Sequence, residues 1–529
     1  MKPQRAVAWE RLASDTFDLL VIGAGIVGSR IAYEAAGAGL KVALVDAGDF
    51  GGATSSGSSK LIHGGFRYLP MGDLALVWES QRERKALLGR VAPNLVRRMP
   101  MVLAAYHGGP KGPAIASAGV LAYGALCGFR GTGVALLGAR GAQKLIPSLR
   151  TDGLSVCGRF DEGQTNDARL VLATVAGAVG MGATAVNHAR VIALDGRAGQ
   201  LARATIMGGI DEGFVEVGFR HVVNAAGPWV DRVRQLEDPT CAAMARLSKG
   251  IHVLLEPESE WHAGLAVPVE DGRVAMAIPW QGMLMLGTTD TNFGGDPAEC
   301  CVLPSDVAQV LQEASLALPA GMLRPDAVRF AFAGLRVLPL GEGSTAEAHR
   351  EHLVQTGRRG MVSIAGGKLT THRRIALDVL HRLDEPRVSA LQLADTPLPQ
   401  SIGWARSGHS GAPLRGDGEL LGGGLDPDVV RHVTEVYGND ASAVIGQRWL
   451  HSNALERIHP RGPDVWAQAY HAVDHEWATT VEDVVRRRTT VAVRGLASPA
   501  VRDEVARVVQ SLAAGSSYRA AGGVKIEGR

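Results

Sequence analysis

The chain has 529 residues, with 55 Lys and Arg against 53 Asp and Glu, a net charge of +2. A hydrophobic share of 46% with 20% charged residues describes a globular chain that can bury a large core, which excludes a disordered or disulfide-framed protein. The near-neutral charge argues against a nucleic-acid partner, and five cysteines without a CxxC pair argue against a zinc framework and for a reducing cytoplasm.

Met1 to Glu10 has no apolar signal core. Phe17 to Ile22 is a short apolar run that stops at glycine, so it predicts a buried parallel strand. Ile26 to Ala38 predicts a helix and Lys41 to Val45 a second buried strand, which completes one βαβ unit. Gly23-Ala24-Gly25-Ile26-Val27-Gly28 fills the strand-to-helix turn. Gly23 allows the tight turn, Gly25 lets the backbone approach a pyrophosphate, and Gly28 lets helix and strand pack closely. The helix N-terminus adds free amides and partial positive charge. Asp46 ends the second strand and is placed to accept hydrogen bonds from a ribose; it disfavours a 2′-phosphate there.

The hydroxyl-rich run Thr54-Ser55-Ser56-Gly57-Ser58-Ser59-Lys60-Leu61 follows, and then Ile62-His63-Gly64-Gly65-Phe66-Arg67-Tyr68. The hydroxyls suit phosphates, the glycine pair permits close approach of a flat ring, and His63, Arg67 and Tyr68 offer a base, a fixed cation and a donor. Two long uncharged stretches, Gly112 to Phe129 and Leu170 to Ala189, are interrupted by glycine and other breakers; they predict buried or interfacial helices rather than spans. Leu170 to Val179 reads as helix, His221 to Asn224 as a strand entering Ala225-Ala226-Gly227, and Val274 to Leu286 as strands around a turn at Gln281-Gly282. Prolines and a triple glycine mark 396–424 as a linker. Beyond it, Asp426-Pro427 predicts a helix start and Thr480 to Asp483 a capping box. Ile526 to Arg529 has the look of a protease-site scar in a tail from 521.

These segments together resemble the FAD-dependent glycerol-3-phosphate dehydrogenases. The resemblance continues through Asn166 to Val171, Asn224 to Val230, Lys249-Gly250, Ile278 to Trp280, Gly287 to Asp290, Gly366 to Thr371, Asp474 to Trp477 and Arg487-Arg488. It implies an α/β fold: a Rossmann-like FAD-binding domain interleaved with an α+β substrate (cap) domain over 15–395, with cap segments near 90–160 and 236–330. A helical C-terminal domain over 425–520 follows.

The resemblance also implies the chemistry. A hydride leaves C2 of sn-glycerol 3-phosphate for FAD N5, giving dihydroxyacetone phosphate, and a membrane quinone receives the electrons. His63 is the general-base candidate, Arg67 and Arg336 the substrate-phosphate candidates, and Tyr68 a further pocket group. Lys368 stands beside flavin and substrate; only nine lysines occur against 46 arginines, which sets it apart from a casual surface charge. The cofactor set implied is Gly23, Gly25, Ile26, Gly28, Asp46, Thr54, Ser55, Ser56, Ser59, Lys60, Leu61, Ala226, Gly227, Gly367, Lys368, Leu369 and Thr370.

Three positions depart from the family pattern. Ile251 replaces a hydroxyl residue in Gly250-Ile251-His252, Val337 follows Arg336 where a proline is usual, and His372 replaces a tyrosine, where packing is the favoured reading. His471 and His475 form a polar helix face rather than a metal pair, so no metal is expected. Arg486 to Arg488 should pair with carboxylates such as Glu482 and Asp483.

The implied location is cytoplasmic, peripheral on the inner face of the cell membrane, with Gly112 to Phe129 a candidate contact. A homodimer stands among the assemblies left open. The competing functions are an oxygen-using glycerol-phosphate oxidase, an amino-acid oxidase of the same superfamily, and a non-catalytic flavin-binding sensor.

Overall fold

A computed structural model describes residues 4–66, 69, 72–110, 112–128, 132–197, 199–209, 212–269, 273–340, 352–402 and 424–521. Most of the expected linker and the tail scar lie outside these residues.

One sheet is built around the βαβ unit. Its strand order is His352–Thr356, Val362–Gly366, Phe214–Asn224, Thr16–Ile22, Val42–Val45, Thr184–Val186, with Arg190–Arg197 and Gln200–Met207 joined to Phe214–Asn224. The five strands from Val362–Gly366 to Thr184–Val186 run parallel. Thr16–Ile22 lies at their centre, and its Leu19, Leu20 and Val21 are fully buried, as expected for a strand covered on both faces. The helix Ile26–Gly37 packs on this sheet with Asp167–Gly180 and His372–Leu380 as neighbours.

The second sheet is largely antiparallel. Leu154–Thr165 pairs with Val96–Tyr106, and Ala245–Leu255 pairs with both Met283–Gly287 and Val328–Pro339. Val274–Trp280 and Met283–Gly287 form the hairpin expected around Gln281-Gly282. Leu61–Ile62, which follows the first βαβ unit in the chain, already belongs to this second sheet and pairs at its edge with the end of Leu154–Thr165.

After residue 424 the described chain is helical, and Val429, Val433 and Tyr437 of helix Pro427–Tyr437 enter its core. Asp426 occupies the predicted cap position, but its carboxylate pairs with Arg457 instead of a helix amide. The Thr480–Asp483 capping box is present in both directions, with Asp483 N donating to Thr480 Oγ1 at 3.2 Å and Thr480 N to Asp483 Oδ2 at 2.9 Å.

The arginine run joins this helical part to the first sheet. Arg487 pairs with Asp483 at 2.8 Å, as the spacing predicts, but Arg487 and Arg488 also reach Asp49, far back in the chain. Glu482 pairs with Arg502 instead. Arg169 and Glu476 form a second buried bridge at 2.8 Å. Burial alone would raise the Glu476 carboxyl; the Arg169 charge outweighs it and holds it at about 2.

Among the described residues, Asp49, His188 and Asp483 bring three potential ligand atoms together. Arg487 and Arg488 already supply the positive charge that such a cluster would otherwise draw from a cation. His475 is exposed, as a polar helix face requires, but His471 is buried, with the two ring centroids 4.8 Å apart and its pKa lowered to about 4 by burial, so it is a packed residue.

Candidate active site

The carboxyl ends of four parallel strands fall along one edge of the first sheet. Thr16–Ile22 delivers Gly23, Val42–Val45 delivers Asp46, Phe214–Asn224 delivers Ala225 to Gly227, and Val362–Gly366 delivers Gly367 and Lys368. In an open parallel sheet this edge is where ligands bind.

The glycines have steric reasons to be there. Gly23 has φ +99°, and a Cβ on it would sit 2.5 Å from Ala225 O. A Cβ on Gly28 would sit 1.9 Å from Gly23 O, so helix and turn close only around glycine. Gly25 caps the Ile26–Gly37 helix in extended backbone. Gly227, Gly366 and Gly367 also have positive φ, which carries the backbone across the edge without side chains.

Asp46 spans the turn. Its Oδ2 accepts from Ala24 N at 2.7 Å and its Oδ1 from Gly48 N at 2.9 Å. Burial raises its pKa to about 6 against the pull of those amides. Each carboxylate oxygen retains a second lone-pair direction, so these bonds shape the turn without using up the acceptor.

The hydroxyl-rich segment is clamped between the sheets. Ser55 Oγ accepts from Ile26 N at 2.9 Å, and Thr54 Oγ1 donates to Leu335 O at 2.7 Å. Gly57 meets Gly334 so closely that a Cβ on Gly334 would lie 2.3 Å from Gly57 O. Ser56 Oγ turns back to Ala53 O at 3.4 Å, and Ser59 Oγ meets His252 Nε2 at 2.9 Å. Lys60 has φ +61°, and its ammonium is buried against both oxygens of Asp167 at 2.9 Å and Ser56 O at 2.6 Å. Burial lowers the Lys60 pKa and Asp167 opposes the fall. The Lys60 side chain thus locks the segment from behind, and Leu61 begins the short strand that follows.

His63 comes directly after that strand. Its backbone N donates to Thr370 Oγ1 at 3.1 Å, which ties it to the loop carrying Gly367, Lys368 and Leu369. The Lys368 Nζ is screened from solvent. Leu369 O accepts from the His372 ring at 2.7 Å; His372 is buried and its pKa falls to about 3, so this position is packed, as favoured from sequence. Arg67 and Tyr68 lie outside the described residues.

Arg336 enters from the second sheet, paired in register with Ser248. Its Nη2 donates to Thr288 Oγ1 at 2.9 Å and Thr289 O at 3.0 Å, and its Nη1 is 3.5 Å from Asp290. Strand alternation also accounts for the departure at Ile251. Ser248, Gly250 and His252 share the Arg336 face, whereas Lys249 pairs with Asp306 and Ile251 is wholly buried in the opposite core. A hydroxyl at residue 251 would therefore point into that opposite core, and its replacement by Ile251 leaves the face that carries Arg336 unchanged.

Several contributing residues carry little sequence signal. Gly64 rests on a buried group in which Glu162 accepts from Gly64 N, Arg84 pairs with Glu162 at 3.0 Å, and Gln81 donates to Gly64 O at 3.1 Å. His252 is buried on Phe332, and burial lowers its pKa to about 3, so it is a neutral partner for Ser59. Asp167 sat inside a recognised motif, but its pairing with Lys60 joins residues 107 apart.

The edge fits a dinucleotide with a flat ring: glycine backbone bare of side chains, a helix N-terminus for a pyrophosphate, and an acid at the second strand end. The comparisons agree with this geometry. Residues 18–373 match the FAD dependent oxidoreductase family, and residues 366–518 match the C-terminal domain of alpha-glycerophosphate oxidase.

The chain is similar to a glycerol-3-phosphate dehydrogenase of Mycobacterium leprae, 33% identical over 516 residues, covering 96% of this chain and 87% of that relative. Glycerol-3-phosphate dehydrogenase 2 of Mycobacterium bovis is also 33% identical, covering 93% and 83%. Among solved structures, the glycerol-3-phosphate dehydrogenase from Bacillus halodurans complexed with FAD superposes with a TM-score of 0.76 at 25% identity, covering 98% and 95%. The L-alpha-glycerophosphate oxidase of Mycoplasma pneumoniae shares the fold at a TM-score of 0.56 and 16% identity. The chain belongs to the family of FAD-dependent glycerol-3-phosphate dehydrogenases.

Proposed function

We propose that this enzyme oxidises sn-glycerol 3-phosphate to dihydroxyacetone phosphate and passes the electrons to a membrane quinone. One observation carries the reading: Arg336 and His63, both from the second sheet, and Lys368 from the first are fastened to the same strand-end crevice. An arginine fork and a lysine beside a cofactor edge suit a phosphate dianion and a developing oxyanion better than they suit an amino acid alone.

The turn Gly23, Gly25, Ile26 and Gly28 would hold the pyrophosphate, with Asp46 toward the ribose. Thr54 to Ser56, Ser59, Lys60, Leu61, Ala226, Gly227 and Gly367 to Thr370 would frame the rest of FAD. When bound, FAD supplies the acceptor for the hydride that leaves C2. Arg67 and Arg336 hold the substrate phosphate, with Tyr68 as a further donor. His63 takes the C2 hydroxyl proton, and Lys368 offsets the charge that appears on that oxygen. Residues 15–395 act as the FAD-binding unit with its interleaved cap, 396–424 as a linker and 425–520 as the helical unit.

No helix among the described residues is long and apolar enough to cross a membrane. The helix Pro113–Leu126 carries no charge, and its Ile115 is 66% exposed; Trp78, on Leu74–Ala86, is 61% exposed. Large apolar side chains on neighbouring outer faces favour a peripheral seat on the cytoplasmic side of the membrane, where a quinone is within reach.

The test is anaerobic addition of glycerol 3-phosphate to the yellow protein, followed by turnover with a quinone and, separately, with oxygen. Bleaching of the flavin band with quinone-dependent turnover is expected. A folded preparation that binds no FAD, or that turns over with oxygen alone, would remove the reading.

A further inference from the structure

A second cleft, of about 370 Å³, opens between the helix Pro427–Tyr437 and the Gln281-Gly282 turn. That is the size of a small-molecule site. None of His63, Lys368 or Arg336 is among the residues that line it. Its walls carry Arg97, Arg169, Arg431, Arg461 and Arg494 against the carboxylates of Asp428 and Glu435.

The carboxylates are already committed. Glu435 pairs with Arg97 at 2.9 Å, and Asp428 pairs with Arg457 at 2.7 Å. Arg169 and Arg461 are satisfied by Glu476 and Glu256, neither of which lines the cleft. Two cations are left over. Among the described residues, neither Arg431 nor Arg494 has a carboxylate within ion-pair distance.

Arg494 is the informative one. Its Nε donates to Thr490 Oγ1 at 2.9 Å, which aims the rest of the guanidinium at the turn. A Cβ on Gly282 would lie 2.8 Å from its Nη1, so the guanidinium lies directly against the bare turn. Burial lowers its pKa, and the more distant Asp464 and Asp428 only partly oppose this. A half-buried guanidinium without a counter-ion is costly, and an anion in the cleft would remove that cost. Arg431 lies on the exposed face of the same helix wall, one turn from Asp428 and from Glu435.

We propose that this cleft is a second anion site, separate from the catalytic one, which takes a small phosphate-bearing molecule on Arg494 and Arg431. Arginine forks suit the three oxygens of a phosphate group, and two of them suit a dianion. The floor of the site reaches the cofactor segment. Asn166 lines the cleft and caps the helix Asp167–Gly180, whose Asp167 holds Lys60. Trp280 also lines the cleft, with the Lys60 ammonium 5.0 Å from its ring centroid. An anion bound here touches the groups that lock the hydroxyl-rich loop.

The test is calorimetric titration of the FAD-loaded enzyme with inorganic pyrophosphate. Saturable binding is expected in the natural chain, with affinity kept within twofold in Arg336→Ala. Arg494→Gln should weaken binding at least tenfold. Arg431→Gln, a substitution on an exposed helix face, should weaken it at least threefold and keeps the test sound if Arg494→Gln fails to fold. The proposal is overturned by absence of saturable binding, by unchanged affinity in Arg431→Gln, or by loss of binding in Arg336→Ala, which would assign the anion to the catalytic pocket.

Discussion

The backbone amide of His63 donates to the side chain of Thr370, 307 residues further along the chain, at 3.1 Å. This bond sets the general-base candidate against the loop that carries Lys368. Thr370→Val keeps the shape and removes the acceptor. The stranded amide costs about 1–3 kcal/mol. The expected outcome is a lower kcat/KM for glycerol 3-phosphate with flavin content retained, read by steady-state kinetics and absorbance.

Arg336→Ala should raise the KM for glycerol 3-phosphate by about 10- to 100-fold, the span of a charged hydrogen bond worth about 1.5–3 kcal/mol. Flavin stays bound, because the Gly23–Gly28 turn and the hydroxyl-rich segment are untouched. An unaltered KM would take Arg336 out of the phosphate site. Arg67→Ala is expected to act in the same direction.

Gly28→Ala places a methyl group where only 1.9 Å separates it from Gly23 O. Helix and turn must part, and the pyrophosphate seat with them. The variant should purify colourless or fail to accumulate, which a flavin-to-protein absorbance ratio decides. A fully yellow variant would show that the turn yields more easily than its packing suggests.

Acid should destabilise the fold in two steps. His252 and His372 are held neutral by burial, with pKa about 3, while the unfolded chain takes up their protons near pH 6.5. Between those values the unfolded state binds more protons, so stability falls as pH falls, by about 1.4 kcal/mol per pH unit for each group. Glu476, held at about 2, adds stability that is present above its unfolded value near 4.3 and is lost below it. Urea midpoints measured from pH 8 to pH 4 test the first step. His372→Asn should flatten the slope.

Ile115→Glu and Trp78→Glu should release the protein from lipid vesicles and reduce turnover with a membrane quinone. Turnover with a soluble dye acceptor should be unaffected. Equal loss with both acceptors would mean that these side chains serve the fold rather than the membrane.

Much of this was legible in the sequence because local physics dictates it. The Gly23–Gly28 turn needs no distant partner to be recognised, and the hairpin at Gln281-Gly282 and the Thr480–Asp483 box are likewise local. Helix starts were visible, but the Asp426 carboxylate went to Arg457, since a nearby arginine offers a charge-assisted bond. What stayed hidden depends on long-range pairing. The pairing of the Lys60 ammonium with Asp167 joins distant parts of the chain and is visible only in the fold. The support under Gly64 from Glu162, Arg84 and Gln81 has no pattern in sequence at all. The amphipathic helix Gln4–Ser14, whose Arg5 reaches Asn187 and Glu212, was also not foreseen.

Asp49 and Arg488 are separated by 439 residues, yet they close on each other in the interior. The order of synthesis gives this contact a temporal meaning. The first βαβ unit leaves the ribosome long before the arginine that neutralises its buried acid exists. Until the segment carrying Arg487 and Arg488 emerges, Asp49 has neither of these two guanidiniums to pair with. A chain stopped short of Arg488 would leave Asp49 without that cation, so this part of the interior closes only after the helical part has been made.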